Sequence, residues 1–442
     1  MLGLDQRSTR DGRSLVTETK PVGKPFDIPK TLVWKAYQKV KANKGAAGVD
    51  GQSLTEFERD EKNNLYKLWN RLCSGSYFPP PVKAVEIPKP GRTNAVRVLG
   101  VPTVADRIAQ TVVAMTLEPE VESMFHPDSY GYRPGRSAVD AVGTCEQRCW
   151  RHAWVVDLDI QGFFDNVPHE PIVRAVERHT NLPWVLLYVK RWLVAPLQLP
   201  DGTLTARAKG TPQGSAISPL LSNLFMHYAF DAWLAREHPT IRFERYCDDA
   251  IVHCVSEKQA ILVREVIDRR LSQFGLRLHP EKTRIVYCKQ EGRPRAYPVT
   301  EFTFLAFTFR PREARLRDGR LKVGFLPAVS KDAMKSMARV IRSWRLGRWT
   351  ALSFQEIAAL INPVVAGWIN YYGRFYKSRL MHFLEQRINP FLVKWARRKY
   401  KRFRRAPRKA RRQLAAIASV YPGMFAHWKH GALPTGSTRG AV

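Results

Sequence analysis

Two groups of aspartates stand out in a chain that is otherwise rich in lysine and arginine. Asp157, Asp159 and Asp165 lie in the segment VVDLDIQGFFD, and Asp248 and Asp249 lie in RYCDDAIV. Adjacent carboxylates repel each other and resist burial unless a cation neutralises them. Mg²⁺ prefers such oxygen ligands, and two ions about 3.5–4 Å apart can clamp the attacking and leaving oxygens of a nucleotidyl transfer. The aspartates therefore indicate a metal site for phosphate chemistry.

The flanking sequence predicts how these carboxylates come together. The apolar segment from Trp154 to Asp159 is typical of a short strand, and two further strand-like runs, 241–246 and 250–255, enclose the second aspartate group. They predict a hairpin with acids at its tip, next to a strand that ends in an acid. Asp159 is a better ligand candidate than Asp157 because a site can open at a strand end. An isolated Asp-Asp pair is more often a solvated turn, but the apolar runs and the second acidic strand end favour the metal site.

Predicted helices and strands alternate up to about residue 325, and beyond residue 330 the pattern is helical only. Apolar periodicity predicts a helix from Thr31 that ends at Gly45 and Gly48. The other predicted elements are a strand, turn and strand over 79–102, and helices over 103–117, from about Ser137, from about Pro168, and from a capping box of Ser256 and Gln259 to Gly275. This pattern is that of an α+β fold.

The charge balance limits the function classes. Among 442 residues, 72 are lysine or arginine and 39 are aspartate or glutamate, which gives a net charge of +33. This excess points to a polyanionic partner, most simply nucleic acid, and argues against an ordinary metabolic enzyme. The six cysteines include no CxxC pair, which argues against a zinc ribbon. The run 210–230 is too polar for a membrane span and the N-terminus has no apolar signal core, so we expect a cytoplasmic protein without membrane contact.

Sequence motifs in a fixed order resemble bacterial group II intron-encoded reverse transcriptases from about Gly45 to Trp428. KGAAGVDG resembles the N-terminal extension motif of that family, and IPKPGRTNAVRVLGVPTVADRIAQ and SYGYRPGRSAVDAV resemble its fingers motifs. DLDIQGFFDNVPHE, GTPQGSAISPLLSNLFMHYAFD, RYCDDAIVHC, GLRLHPEKTRIV and FTFLAFTF resemble its palm motifs. NPVVAGWINYY resembles the maturase signature, which other reverse transcriptases lack. One such match would be weak, but this many in the expected order are specific.

The resemblance implies roles for individual residues. Asp159, Asp248 and Asp249 match the metal-binding catalytic carboxylates. Phe164 matches the aromatic that closes the pocket beneath the sugar and disfavours a ribonucleotide. Core packing is the alternative, because Phe163 and Phe164 would point to opposite faces of an extended chain. The implied nucleotide-binding residues also include two fingers residues at the triphosphate, two residues in the loop against which the new base pair packs, and a palm lysine near the pyrophosphate: Lys89, Arg97, Gln213, Gly214 and Lys282.

The chain also departs from the family pattern. Cys247 stands where these enzymes usually carry alanine, and Ala306 replaces a usual glycine. Because cysteine and alanine are both small, we expect activity to survive the first change. The turn between Lys89 and Arg97 is longer than the usual pattern, and generic surface charge is an equal alternative for Lys89.

The C-terminal region is strongly basic and contains aromatic residues. Between Lys394 and Arg412, twelve of nineteen residues are lysine or arginine, and no acidic residue follows Glu385. This composition suits RNA, through phosphate pairing and base stacking, with a solvated tail as the alternative. In the resembled family this region is the thumb and maturase domain, which grips intron RNA. The candidate RNA-binding residues are Trp368, Tyr371, Tyr372, Arg397, Arg398, Arg404, Arg405, Arg408, Arg411 and Arg412.

The residues and the resemblance together predict a right-hand polymerase, with fingers and palm followed by an all-helical thumb and maturase domain. The expected segments are a mobile tail (1–28), the N-terminal extension and fingers (29–152), the palm with interleaved fingers (153–326), the thumb and maturase domain (327–430) and a second tail (431–442). No cysteine follows Cys288, so we expect no Cys-rich nuclease module in this sequence.

The predicted function is RNA-directed DNA synthesis by a bacterial, group II intron-encoded protein. It would use two Mg²⁺ ions, or Mn²⁺ in their place, and dNTPs, and extend a DNA or RNA primer on an RNA template. It would also bind its parent intron RNA and a DNA target site, and assist splicing and mobility. The alternatives are a reverse transcriptase reassigned to host defence or CRISPR adaptation, and a splicing-only RNA-binding maturase. The retained aspartates count against the latter, and the intact NPVVAGWINYY segment favours the intron.

Overall fold

The computed structural model describes residues 23–88, 96–293, 295–315 and 318–434. The helices are α1 (Lys30–Asn43), α2 (Leu54–Arg59), α3 (Glu61–Cys73), α4 (Val104–Glu122), α5 (Ala138–Arg151), α6 (Phe163–Asn166), α7 (His169–Glu177), α8 (Pro183–Val194), α9 (Ser218–Met226), α10 (Ala232–Glu237), α11 (Glu257–Ser272), α12 (Lys331–Ser343), α13 (Phe354–Tyr372), α14 (Lys377–Lys399), α15 (Pro407–Val420) and α16 (Ala426–Lys429). The strands are β1 (Val82–Pro88), β2 (Val96–Val101), β3 (Trp154–Leu158), β4 (Leu197–Gln198), β5 (Leu204–Thr205), β6 (Arg242–Tyr246), β7 (Asp249–Cys254), β8 (Arg284–Tyr287), β9 (Phe302–Phe304), β10 (Phe307–Arg315) and β11 (Leu321–Val329). A π-helical segment, His227–Asp231, joins α9 to α10. Beyond β11 the described residues form helices only, which confirms the predicted α+β fold.

The palm is built on a four-stranded sheet in the order β6-β7-β3-β8. All its neighbouring strands are antiparallel, and β3 lies between β7 and β8. Trp154, Val155, Val156 and Leu158 of β3 are all buried because helices cover the sheet. A central strand that is buried on both faces needs such a continuous apolar run. Asp157 interrupts the run and pairs in register with Arg284 of β8.

A second sheet, in the order β2-β1-β4-β5, forms the fingers. Its β1–β2 hairpin pairs Lys83 with Val101 at one end and Pro88 with Val96 at the other. The hairpin confirms the two predicted strands, and the predicted turn between them lies outside the described residues. Val98 is exposed, whereas Gly100 on the same strand is buried near the palm. The hairpin therefore projects from the body of the protein.

The third sheet, in the order β11-β10-β9, joins the palm to the helical region. Phe307 of β10 is fully buried, and Tyr371, Tyr372 and Phe375 pack around its ring at centroid distances of 5.3–5.5 Å. Tyr371 also donates its hydroxyl hydrogen to the carbonyl of Leu305 at 3.0 Å. The end of α13 is thus fixed to the palm by aromatic packing.

The helical region has its own core, to which a C-terminal segment is docked by polar contacts. Trp395 and Trp428 are buried in this core. Asn362 of α13 donates to the carbonyl of Met424 at 2.9 Å and accepts from the amide of Ala426 at 2.8 Å. Asn362 belongs to the NPVVAGWINYY segment, so part of that sequence pattern has a structural role within the thumb.

Some limits of the predicted segments and elements are corrected by the structure. Ile28, expected in the N-terminal tail, is buried, and Trp69 donates to its carbonyl at 2.7 Å. Ala432, expected in the C-terminal tail, is buried in the helical core. The boundary expected at 326–327 falls inside β11, because that strand continues its pairing with β10 up to Val329.

One predicted helix limit and one predicted helix cap are also corrected. Helix α4 runs to Glu122 rather than to residue 117, because Val121 continues its buried face. The predicted capping box is half formed. Ser256 accepts from the amide of Gln259, but the Gln259 side chain accepts from Val255 instead of closing the box.

No helix of the described residues is long and apolar enough to cross a membrane.

Candidate active site

The ends of β3 and β7 bring the two aspartate groups to one cavity. This cavity has a volume of about 350 Å³ and is lined by Asp157, Asp159, Asp249, Lys282 and Arg284, among other residues. It opens where β3 ends, because the chain leaves the sheet after Leu158. The two acidic segments, ninety residues apart in the sequence, therefore face the same space, as the sequence predicted.

Asp159 is held at the strand end by contacts to both its backbone and its side chain. Its carbonyl accepts from the amide of His279 at 2.7 Å, and its amide donates to the Thr283 hydroxyl at 3.3 Å. Lys282 Nζ donates to the two carboxylate oxygens at 3.0 and 3.1 Å. Lys282, predicted from the palm motif, thus lies at the cavity and neutralises part of its negative charge.

The carboxylates of the cavity repel one another. Desolvation by the surrounding protein, with repulsion from Asp248, Asp157 and Asp159, raises the pKa of Asp249 to about 7. Burial likewise raises the pKa of Asp157 to about 7, against the opposing effect of Arg284, whose Nη2 lies 3.5 Å from its carboxylate. The pKa of Asp248 is also raised, by desolvation first and by repulsion from Asp159.

The site has a surplus of negative charge that suits a divalent cation. Four carboxylates interact, and the two cations that line the cavity, Lys282 and Arg284, do not balance them. Hard oxygen donors in excess of the local positive charge are the ligand set of Mg²⁺ or Mn²⁺. The residues present therefore fit the metal that the sequence predicted, with Asp157 as an additional acidic neighbour.

The β6–β7 hairpin places Asp248 at a two-residue turn. Tyr246 pairs with Asp249, so Cys247 and Asp248 form the turn and Asp249 begins β7 instead of lying in the turn as predicted. Cys247 is buried and adopts φ +60°, a conformation that is uncommon outside glycine. A Cβ added at Gly131 would lie 2.5 Å from the Cys247 amide nitrogen, so this glycine permits the close approach of its loop to the turn.

Phe164 and the loop that contains Gln213 are joined through their backbones. Phe163 and Phe164 lie in the short helix α6 and not in an extended chain, and Phe163 is the core residue of the pair. Phe164 is half-buried, and its carbonyl accepts from the amide of Thr211 at 2.7 Å. The predicted sugar-contacting aromatic and the predicted base-pair loop are therefore neighbours.

The same loop contacts the fingers. The amide of Gly100 in β2 donates to the carbonyl of Gln213 at 2.7 Å. Gly214 has φ +107°, and a Cβ at that position would lie 2.7 Å from the Gly100 carbonyl oxygen. Arg97, on the same strand, is exposed, and its charge lowers the pKa of Asp248, against the larger effect of desolvation. Lys89 lies outside the described residues.

Comparisons with known proteins agree with this geometry. Residues 87–309 match the family model described as reverse transcriptase (RNA-dependent DNA polymerase). The chain belongs to the reverse transcriptase family. Residues 334–414 match the maturase-specific domain of group II introns, which covers most of the helical region. The chain is therefore an RNA-directed DNA polymerase joined to a group II intron maturase domain, and intron RNA and a nucleic-acid template are its partner classes. Divalent metal ions are the cofactor class of this family.

Two relatives and one solved structure are similar to this chain. Protein YkfC of Escherichia coli (strain K12) is 32% identical over 283 residues, which cover 55% of this chain and 74% of YkfC. Group II intron-encoded protein LtrA of Lactococcus lactis subsp. cremoris is 31% identical over 198 residues, which cover 44% of this chain and 32% of LtrA. A telomerase structure from Candida albicans, in complex with a fragment of telomeric RNA, aligns with a TM-score of 0.46 and 11% identity over 86% of this chain and 68% of the telomerase.

The maturase domain of this reverse transcriptase presents a basic face. On α15, Ala410, Leu414 and Ala418 are buried, and the arginines lie on the opposite side. Five of the predicted RNA-binding arginines are exposed: Arg404, Arg405, Arg408, Arg411 and Arg412. Two others are engaged within the protein, because Arg397 donates to the carbonyl of Arg404 at 3.0 Å and Arg398 to that of Gly347 at 3.1 Å.

A basic groove that sequence reasoning did not identify lies between the third sheet and helices α12 and α13. Its volume is about 660 Å³. Trp368 and Tyr372, two of the predicted RNA-binding aromatics, line it. Five cations and two acids also line it, so positive charge is in excess: Arg310, Arg312, Lys331, Lys335, Arg379, Glu301 and Asp332. The cations come from three separate stretches of sequence, so no local charge run signalled the groove. Tyr371 instead packs on Phe307.

One further cluster of potential metal ligands among the described residues does not form a metal site. Cys145, Glu244 and His253 are buried and have potential ligand atoms within 4.8 Å of one another. However, His253 Nε2 and Glu244 Oε2 are already hydrogen-bonded at 2.6 Å, and Arg148 donates to the other Glu244 oxygen at 2.6 Å. Two ligands around one zinc ion lie farther apart than this, since each bond is about 2.0–2.2 Å long and the geometry is tetrahedral. The cluster is a hydrogen-bonded support of strand β6.

Arg284 is the cavity residue that sequence reasoning missed. It lies two residues after Lys282, and its charge faces Asp157 from the neighbouring strand. Arg284 lies in the motif GLRLHPEKTRIV, as the first residue of β8. Its role could not be predicted without the pairing of β3 with β8, which the sequence alone did not reveal.

Proposed function

We propose that this reverse transcriptase extends a DNA or RNA primer on an RNA template with two Mg²⁺ ions held by Asp159, Asp248 and Asp249. The observation that carries the proposal is the cavity shared by the ends of β3 and β7, in which carboxylates with raised pKa values face one another. Mn²⁺, with the same preference for oxygen ligands, would substitute. When bound, the ions stabilise the charge on the attacking 3′-hydroxyl and on the leaving pyrophosphate.

The residues around the carboxylates position the nucleotide. Lys282 has three donor hydrogens. It donates to the two carboxylate oxygens of Asp159 at the cavity wall, so one hydrogen remains for the pyrophosphate. Arg97 of β2, together with Lys89, binds the triphosphate, whose charge requires such cations. The loop of Gln213 and Gly214 packs against the new base pair, supported by its contact with Gly100.

Phe164 lies beneath the sugar of the incoming nucleotide. Its half-buried side chain packs on Phe163, with ring centroids 5.4 Å apart, while its backbone is tied to the Gln213 loop. A ring fixed in this way leaves little room for a ribose 2′-hydroxyl. The enzyme therefore selects dNTPs over rNTPs at this position.

The helical region binds the RNA of a group II intron and assists its splicing and mobility, including contact with a DNA target site. The exposed arginines of α15 and the loop before it supply phosphate contacts. The basic groove beside the third sheet, with Trp368 and Tyr372 in its wall, accommodates nucleic acid next to the palm. The match of residues 334–414 to the intron maturase domain supports an intron over a defence or CRISPR role.

Primer extension with single-charge variants tests the catalytic assignment. Asp248→Asn and Asp159→Asn keep the size of the side chain but remove one ligand charge, so cDNA synthesis should fall by at least about 1,000-fold. Asp165→Asn is the matched control, because Asp165 is an exposed residue of α6 and is not among the carboxylates that raise the pKa of Asp248 or Asp249. Full-length cDNA from Asp248→Asn or Asp159→Asn would refute the assignment.

A further inference from the structure

One buried arginine supports the catalytic turn from inside the protein. Arg245, in β6, has no exposed surface, and its Nη1 donates to the carbonyl of Cys247 at 2.7 Å. Cys247 directly precedes Asp248, and the turn contains only these two residues. A displacement of the Cys247 carbonyl therefore moves both Asp248 and Asp249.

Four further hydrogen bonds fix the guanidinium of Arg245. Nε and Nη2 donate to the two carboxylate oxygens of Asp231, Nη1 donates to Asn223 at 3.0 Å, and Nη2 donates to Ser129 at 2.8 Å. All five N–H donors are thus used, and Asp231 is as fully buried as Arg245. The partners come from three elements: the loop before α5, helix α9 and the π-helical segment.

The turn depends on such support because its backbone is strained. Cys247 adopts φ +60°, which persists in a non-glycine residue only where the surroundings determine it. Asn223 contributes on the other side as well, since its Nδ2 donates to the carbonyl of Gly131 at 2.6 Å. Gly131 lies against the Cys247 amide. Arg245 therefore restrains the carbonyl of Cys247, and Asn223 restrains the Gly131 loop that packs against the Cys247 amide.

We propose that Arg245, oriented by Asp231, is a positioning residue for catalysis that sets the distance of Asp248 and Asp249 from the bound metal ions. The planar fork of arginine can bind a carboxylate with two hydrogen bonds and a backbone carbonyl at the same time, which the single ammonium of lysine cannot do. The proposal rests on the assignment of Asp248 and Asp249 as metal ligands. The buried Arg245–Asp231 ion pair then positions the catalytic turn as well as stabilising the fold.

The test compares Arg245→Lys with Arg191→Lys. Arg191, in α8, is a control because its guanidinium also donates to backbone carbonyls within the protein, those of Gly75 and Tyr77, and shares no partner with Arg245. Its contacts do not include the turn. Thermal unfolding and the Mg²⁺ dependence of single-turnover primer extension are measured for both variants and for wild type, with a DNA primer on an RNA template.

Both variants should lose thermal stability, but Arg245→Lys alone should raise the half-saturating Mg²⁺ concentration. Its maximal rate should fall by about 10- to 100-fold, the effect of misplacing a catalytic group by about 1 Å. An unchanged Mg²⁺ dependence would overturn the proposal while leaving the aspartate assignment intact. That assignment fails separately if Asp248→Asn still makes cDNA. If Arg245→Lys does not fold, Asp231→Asn is used instead, with the same expected and refuting results for the Mg²⁺ dependence.

Discussion

The catalytic cavity and the basic surface of α15 both concentrate charge, but they hold it in different ways. In the cavity, the ends of β3 and β7 place the carboxylates, and Asp159 is restrained through both its backbone and its side chain. On α15, the arginines project into solvent from a helix whose opposite face is buried. The cavity derives its function from position, and the surface derives its function from the amount of charge.

This difference predicts how each region responds to change. Under the proposed assignment, loss of Asp159, Asp248 or Asp249 would remove a metal ligand that no other residue replaces, so its effect should be nearly complete. Loss of one surface arginine removes one of several similar phosphate-binding groups, so its effect should be partial, additive and dependent on salt. Charge removal, salt and pH therefore distinguish the two regions.

Changing Arg404, Arg405, Arg408, Arg411 and Arg412 to Gln should weaken binding of the intron RNA at low salt by at least about 100-fold. The slope of log affinity against log salt should become shallower by roughly 0.7–0.9 for each phosphate that the variant no longer neutralises. The measurement is titration of labelled intron RNA at several salt concentrations.

The matched control carries the same loss of charge on other exposed arginines: Arg59, Arg174, Arg178, Arg236 and Arg269. This control should reduce affinity less, because its positions lie on other helices. Equal losses in the two five-fold variants would show that net charge, and not the α15 surface, determines binding.

Replacing Phe164 with Val should raise the ratio of rNTP to dNTP insertion by on the order of 10-fold, because the sugar pocket gains room for a 2′-hydroxyl. Phe230→Leu is the control, since Phe230 is buried in the core, where it packs on Phe243, and its replacement should affect stability and not sugar selection. The ratio is measured for one template position. If Phe164→Val is active with an unchanged ratio, another residue selects the sugar.

The half-saturating Mg²⁺ concentration should rise as the pH falls from 8 to 6. The pKa values of Asp157 and Asp249 are raised to about 7, so these groups are charged above that pH and bind protons below it. Protons and Mg²⁺ then compete, and the rise should approach about 10-fold per pH unit at most.

Asp157→Asn removes one of the charges that raise the pKa of Asp249, so it should move this rise to lower pH. The measurement is the initial rate of primer extension as a function of Mg²⁺ at each pH. A half-saturating concentration that does not change between pH 6 and 8 would contradict the electrostatic description of the cavity.

Much of the site could be predicted because its residues are local in sequence. Asp159 directly follows an apolar strand, and Asp248 and Asp249 lie between two strand-like runs, so strand patterns were enough to place them together. The α+β fold and the helical end followed from the same periodicity. The half-buried state of Phe164 was harder to predict, because the assumption of an extended chain failed where α6 forms a helical turn.

The rest could not be predicted because it depends on contacts that are distant in sequence. Arg284 faces Asp157 only through the pairing of β3 with β8. Arg245 meets Asp231, Ser129 and Asn223 only after several elements pack together. In the sequence, Arg245 is one of 72 basic residues, and its complete burial was visible only in the fold.

The central claim is that the cavity and the α15 surface carry separable functions. It is tested most directly by measuring primer extension and intron RNA binding, side by side, for Asp248→Asn and for the five-fold α15 variant. Asp248→Asn should lose extension and keep intron affinity within about 2-fold of wild type, since Asp248 lies in the β6–β7 turn and not among the basic residues of the α15 surface. The α15 variant should lose affinity and retain most extension on a short generic template. Loss of both activities in each variant would contradict the claim.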